Sequence, residues 1–357
     1  MRVCVIGGGL AGSLLAWRLA GTPGISVDLV PGRYRDSDAT RVSGGMVRAY
    51  EPGGAQRELA IASLAELLAS PLLREWAGYQ QTGFVYLPGP DEDLAAGVGE
   101  VERALPGSAA VVPAAAAFGG PQRGPDGGPP GGSAVVERQA GFISPDGLRA
   151  AVLADLAGRP GVTLLPGSAG RVEVTGNGQV RTVVDGSARE HDAAVLAGGA
   201  WTARLLSRSG LPADGYRTKS IQAGVYAAGE WRPIPFSDEV TGLYGKPVDG
   251  GGLMLGVPTT EWDVPPGLPP VTPAWHEQAA RLAAARFPLL RLGPLRTEVT
   301  GADCYCDPPV LMLRPVAAAG GMYTFTGGSG GSVKTALAAS SRAAAALASR
   351  AARDLPG

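Results

Sequence analysis

Gly7, Gly9 and Gly12 are spaced as G-x-G-x-x-G, and their surroundings give that spacing a chemical meaning. An apolar stretch at residues 2–6 reads as a strand, and "LAGSLLAWRLAG" from Leu10 onward carries apolar residues at helical spacing. In that context the first glycine permits a tight turn and the second lets the backbone approach a pyrophosphate. The third lets helix and strand pack closely. The N–H groups of Leu10 and Ala11 lie at the helix N-terminus, where unpaired donors and the helix dipole favour an anion. The second strand of this βαβ unit, "ISVDLV" (25–30), is followed by Pro31, where a ribose-binding acid is expected. Proline offers no acceptor side chain, and Asp28 lies mid-strand. Arg33 or backbone groups are therefore expected to replace the acid.

Two further glycine turns decide which dinucleotide is bound. "GGSGGSVKTALAAS" (327–340) opens a second helix and sets Gly330, Gly331, Ser332, Val333 and Lys334 at its N-terminus. A helix N-terminus beside a flavin's pyrimidine edge stabilises the negative charge of the reduced ring, a need that nicotinamide folds rarely have. "AAVLAGGAW" (193–201) is a strand ending in glycines, with Gly198, Gly199 and Trp201 set to close over the dinucleotide. FAD is the cofactor these turns imply.

The elements that must position these turns follow in order. "AQRELAIASLAELLASPLLREW" (55–76) reads as one long amphipathic helix, and "GFVYLPG" (83–89) reads as a strand. "GGPQRGPDGGPPGG" (119–132) is a loop, since this composition cannot pack a core. "SPDGLRAAVLADLAG" (144–158) starts a helix with a serine N-cap and proline in the first turn. "VTLLPG", "RVEV", "RTVV" and "HDAAVLAGGA" add strands, and strands with hairpin signals fill 216–300. The helix "WHEQAARLAAARF" (275–287) and a final helix from Lys334 complete the chain.

Composition narrows the function. A net charge of -1 gives no electrostatic support for a nucleic-acid partner. No apolar run reaches the ~20 residues of a membrane span, and the N-terminal run lacks a signal-peptide layout. Three cysteines make no disulfide framework, so a cytoplasmic location is expected. Two histidines, His191 and His276, are too few for a histidine-based metal site or a triad, and no metal is expected.

In this order the motifs resemble the D-amino-acid oxidase superfamily, especially glycine oxidase and monomeric sarcosine oxidase. The resemblance runs through "VIGGGLAGS", "SGGMVRAYEP" (43–52), "GFISPDGLRAAV" (141–152), "AAVLAGGAW", "GLYGKPVDGGGLMLGVPTT" (242–260) and "GGSGGSVKTALA". It implies an α/β (α+β) fold: a Rossmann-like FAD domain from 1–83, 138–215 and 301–357, interleaved with an antiparallel-sheet substrate domain from 84–137 and 216–300. It also implies oxidation of an amine carbon next to a carboxylate, with O2 reduced to hydrogen peroxide.

The resemblance extends the cofactor contacts to Ser43, Gly44, Gly45, Met46 and Val172. By the same resemblance Arg48 and Lys334 grip the substrate carboxylate and Tyr244 lines the pocket. A buried carboxylate must be paired, and arginine pairs it bidentately. Met254 stands where sarcosine oxidases carry an oxygen-activating lysine, so that role is missing unless Lys246 supplies it. In "TGADCYCDPP" (300–309) the glycine-oxidase arginine is absent, with Asp303 near its place. Cys304 or Cys306 is a candidate for a flavin thioether, although noncovalent FAD is favoured.

An N-substituted glycine is the expected substrate, as for glycine-oxidase homologues that cleave an N-carboxymethyl group in natural-product pathways. Tyr226, Trp231, Phe236 and Tyr244 are candidate lining for its N-substituent, with Arg217 or Lys219 as anchors for a distal carboxylate. Oxidation of a primary amino acid (glycine or a D-amino acid) and a non-catalytic FAD-binding role stay open. So does the choice between monomer and homo-oligomer.

Overall fold

The computed structural model describes residues 1–32, 38–90, 92–124, 131–167, 169–175, 179–267, 269–316 and 319–353. Its first strand, Arg2–Ile6, lies in a six-stranded sheet between Ser26–Val30 and Ala193–Leu196, parallel to both. Val162–Leu164 extends one side in parallel; Met322–Thr326 extends the other, and Met312–Pro315 closes that edge antiparallel. The strand is apolar at successive positions because both of its faces are covered. Val3 and Val5 pack with Leu14, Leu15 and Leu19 of the helix Leu10–Ala20, whereas Cys4 and Ile6 pack with Val172, Val180 and Leu206 on the opposite face. The final helix, Ser332–Arg353, lies along Leu10–Ala20 and Gly54–Ala69.

An eight-stranded sheet stands beside the first. Its order is Leu292–Tyr305, Arg217–Ala228, Gly252–Gly256, Tyr244–Val248, Phe236–Asp238, Phe84–Leu87, Ser133–Glu137 and Ala109–Pro113. All its pairings are antiparallel except that of Phe84–Leu87 with Phe236–Asp238. Its own core gathers Val85, Phe118, Phe236, Leu253, Leu255 and Phe287, with the helix Pro273–Arg286 packed on one face. Two three-stranded sheets complete the sheet structure of the described residues.

The long helix expected over 55–76 is two helices, Gly54–Ala69 and Pro71–Ala77. Pro71 cannot donate to the preceding turn, and the Ser70 hydroxyl caps the new helix by accepting from the Leu73 N–H at 3.2 Å. Ser144 caps Pro145–Ala157 as expected, accepting from the Gly147 N–H at 3.0 Å. The helix Leu94–Ala104, capped by Asp93, had no counterpart in the sequence reading. Of the Pro/Gly tract, residues 125–130 lie outside the described residues, and the residues just before them form no helix or strand. Among the described residues no helix is long and apolar enough to cross a membrane.

Candidate active site

A cavity of about 890 Å³ takes lining residues from both large sheets and from all three glycine turns. Gly7, Gly9, Leu10 and Ala11 line one part, with Ser43, Gly44, Gly45 and Met46 beside them. Gly198, Gly199 and Trp201 line another, and Gly330, Gly331, Ser332, Val333 and Lys334 a third. Each glycine of the first turn has a distinct physical reason. Gly7 adopts φ +124°, and a Cβ there would lie 2.2 Å from the Ala197 carbonyl oxygen. Gly12 does not line the cavity; a Cβ there would lie 2.0 Å from the Gly7 carbonyl oxygen, so its role is to seat the helix on the strand. Gly9 borders the cavity, and a Cβ there would meet only Thr40, at 3.3 Å. Thr40 is a residue the sequence reading passed over. Its hydroxyl accepts from the Leu10 N–H at 3.0 Å and so caps the helix from outside the glycine turn.

Pro31 lines the cavity, and its carbonyl accepts from the Gly8 N–H at 3.0 Å. Asp28 is buried, pairing with Arg2 at 2.7 Å and His191 at 3.1 Å, so it has no reach to a ribose. Burial opposes the charge of Asp28, but those bonds outweigh it and hold its carboxyl below the usual range. Arg33 lies outside the described residues. Val172 does not line the cavity, and its backbone N–H is already given to the Ser209 hydroxyl at 2.9 Å. A cavity of this size, bordered by glycine turns and two helix N-termini, fits FAD, with the first turn able to hold the pyrophosphate.

The expected carboxylate grip contains a third member. Arg48 Nε donates to Glu51 Oε1 at 2.8 Å, and Lys334 Nζ reaches the same oxygen at 2.5 Å. All three residues line the cavity. Burial alone would raise the Glu51 pKa, but Arg48 and Lys334 outweigh it and bring it down to about 2. Burial also pushes Lys334 below its ordinary value, with Glu51 opposing the fall. Among the described residues the terminal nitrogens of Arg48 take no hydrogen bond; its guanidinium lies 4.9 Å from the Phe84 ring centre and 4.7 Å from that of Tyr86. Fully buried Glu137 fixes this segment from below, accepting from the N–H groups of Ala49 at 2.8 Å and Tyr50 at 3.0 Å.

Tyr244 and Met254 line the cavity from neighbouring strands. Lys246 pairs in register with Met254, yet its ammonium sits 4.0 Å above the Phe142 ring and does not line the cavity. Burial lowers the Lys246 pKa to about 8, with Asp249 opposing the fall. Tyr226, Trp231 and Phe236 belong to the core of the eight-stranded sheet, because their side chains face the helix Pro273–Arg286 and the Phe287 ring. Of the two distal anchors, Arg217 is committed to Asp263 through bonds of 3.0 and 2.7 Å. Lys219 lines the cavity with its ammonium 5.0 Å from the Trp262 ring centre.

The strand Leu292–Tyr305 brings Asp303, Cys304 and Tyr305 to the cavity wall. Burial pushes the Cys304 thiol up to about 11, far from a reactive thiolate. Cys306 does not line the cavity; its sulfur packs against Gly327, where a Cβ would lie 2.2 Å away. Asp303 is the second residue the sequence reading left without a role. Burial pushes its carboxyl up to about 7, partly offset by Lys219. Among the described residues no group of three or more His, Cys, Asp and Glu side chains is set to hold a metal.

Comparison with known proteins agrees with this architecture. Glycine oxidase from Geobacillus kaustophilus superposes with a TM-score of 0.74 at 20% identity, over 98% of this chain and 95% of that one. L-proline dehydrogenase from P. horikoshii gives 0.78 at 17%, over 97% and 92%. Iminodiacetate oxidase from Chelativorans sp. BNC1 gives 0.70 at 17%, over 97% and 95%. No match was found among curated protein sequences. The family model described as FAD dependent oxidoreductase (DAO) matches residues 2–347, so this chain belongs to the DAO family of FAD-dependent oxidoreductases.

Proposed function

We propose that this enzyme oxidises the glycyl C–N bond of an N-substituted (N-carboxymethyl) glycine, with O2 as acceptor and glyoxylate, an amine and hydrogen peroxide as products. The three glycine turns would hold FAD noncovalently, and when bound it would supply a hydride acceptor for the glycyl carbon. The protein's own residues bind, orient and exclude water. Arg48 carries the reading: Glu51 engages its Nε alone, so its terminal nitrogens remain for a substrate carboxylate beside Lys334. Arg48 and Lys334 share one direct carboxylate partner, Glu51, while Glu137 and Glu239 act on Arg48 from farther off, so a glycyl carboxylate would be the second anion in direct contact with the pair. The phenol of Tyr244 and the thioether of Met254 border the same space and would flank the N-substituent, with Lys219 toward a distal anion. In this reading 1–83, 138–215 and 301–357 carry the cofactor, and 84–137 and 216–300 carry the substrate. A structural neighbour named iminodiacetate oxidase supports the substrate class, since iminodiacetate is N-carboxymethylglycine.

The test is anaerobic bleaching of the flavin and aerobic peroxide release with glycine, sarcosine and N-carboxymethyl amines of increasing length. Each buried CH₂ contributes about 0.8 kcal/mol, so kcat/KM should climb along the series. Glycine as the best substrate, with longer amines inert, would replace this reading by a primary amino-acid oxidase.

A further inference from the structure

We propose that Asp303 receives the substrate's amine: it holds the ammonium N–H and takes the proton that must leave before the glycyl carbon can be oxidised. The inference rests on the amine-oxidase reading above and adds a residue to it. An amine nitrogen pushes a hydride off its neighbouring carbon only with its lone pair free, and an N-alkyl glycine is protonated at nitrogen in neutral water. In the balanced step the ammonium N–H bond breaks, its electron pair stays on nitrogen as the lone pair, and the proton forms the O–H bond of the Asp303 carboxylic acid.

Three observations meet at this residue. Asp303 is 7% exposed and lines the cavity, yet among the described residues its carboxylate takes no hydrogen bond and no salt bridge. A buried acid without a partner is costly, and an incoming N–H would relieve that cost. Its position relative to the carboxylate grip is the second. A Cβ on Gly330 would lie 3.0 Å from Asp303 Oδ2, and a Cβ on Gly331 would lie 3.3 Å from Lys334 Nζ. The acid and the cation therefore lie against adjacent residues of one turn. The third is the charge around Asp303. Lys219 faces it across the strand pair Arg217–Ala228 and Leu292–Tyr305, in register with it. The other titratable groups that feel its charge, Tyr244, Cys304 and Tyr305, are all pushed upward by burial first and by Asp303 next or later. All three thus stay neutral near pH 7, and Lys219 is the one cation among these neighbours. With burial holding its carboxyl near 7, Asp303 is poised both to accept a proton and to return it to water.

The experiment uses the FAD-loaded Asp303→Asn variant, first checked for flavin content and Tm. Anaerobic bleaching by sarcosine is followed from about pH 6 to about pH 10, giving a rate constant and a Kd. Separately, equilibrium binding of (methylthio)acetate is measured, because this thioether isostere keeps the carboxylate and lacks the N–H. General-base loss is worth 10²–10⁴-fold, so the variant should bleach about 100-fold more slowly at neutral pH. Its rate should then climb about tenfold per pH unit toward the pKa of the free amine, while (methylthio)acetate affinity stays at the wild-type value. A variant with the wild-type pH profile and sarcosine Kd overturns the proposal. So does equal weakening of both ligands, which would mark a role in pocket shape or toward the cofactor. If the Asn variant holds no FAD, Asp303→Glu carries the test: the retained carboxylate must keep the wild-type form of the pH profile, and a free-amine profile overturns the proposal. Wild-type enzyme that no amine bleaches removes the oxidase reading and this inference together; a bleached wild type with an unaffected variant removes this inference alone.

Discussion

Replacing Glu51 by Gln removes the one negative charge held between Arg48 and Lys334 while keeping the side chain's size. Arg48 and Lys334 hold the Glu51 carboxyl at about 2 against its ordinary 4.5, so the fold prefers its ionised form. At about 1.4 kcal/mol per pH unit, that preference is about 3 kcal/mol of folding stability at neutral pH. Because the folded-state value lies below the unfolded one, this stabilisation is complete above pH 4.5 and is lost as pH falls toward 2. At about pH 3.5 it should have shrunk to about 2 kcal/mol. Denaturant unfolding of wild type and Glu51→Gln, run side by side at several pH values, gives the difference directly. The same substitution removes the one carboxylate that both cations contact directly, so acetate and (methylthio)acetate should bind the variant more tightly. A stability difference that is absent at neutral pH, or that does not shrink on acidification, would refute the claim that the two cations hold Glu51 ionised. Unchanged carboxylate affinity would refute the claim that Glu51 competes for the grip.

Two further outcomes follow from the cavity. Lys246→Met should leave peroxide release within about twofold of wild type, because the ammonium rests on Phe142 and does not line the cavity; a tenfold or greater loss in the oxygen half-reaction would return that lysine to the site. Acid precipitation should release FAD into the supernatant from wild type and from Cys304→Ser alike, since Cys304 carries a buried, protonated thiol and Cys306 packs against Gly327; flavin retained in the wild-type pellet would show attachment.

The glycine turns were legible in the sequence because glycine is demanded there by backbone geometry, and a backbone demand leaves a local mark. Gly7, with its positive φ and the Ala197 carbonyl in the way of any side chain, is such a mark. Ser144 was legible for the same reason, its cap being written within three residues. Partnerships across the chain were not. Glu51 reads as an unremarked acid three residues after Arg48 until the final helix delivers Lys334 to the same oxygen. Asp28 was set aside as a ribose ligand because it lies mid-strand, but only the pairing with Arg2 and His191 reveals it as core electrostatics. The aromatic residues of the second sheet failed differently. The sequence offered all of them as candidate lining and could not tell that Tyr226 and Phe236 face a packed helix while Tyr244 lines the cavity. Asp303 had a place in the motif comparison and no role, because isolation inside a cavity is a property of surroundings.

The three glycine turns come from the beginning, the middle and the end of the chain, and all border one cavity. If these turns hold FAD as proposed, no contiguous fragment carries the complete cofactor site, and loading would wait until strands far apart in sequence have paired. Cofactor capture is then linked to global folding, and every bound molecule shifts the whole chain's equilibrium toward the native state. At a free concentration 1,000 times Kd that linkage is worth about 4 kcal/mol, comparable to a large part of a domain's net stability. Flavin supply would thus govern how long the protein survives proteolysis as well as how fast it turns over.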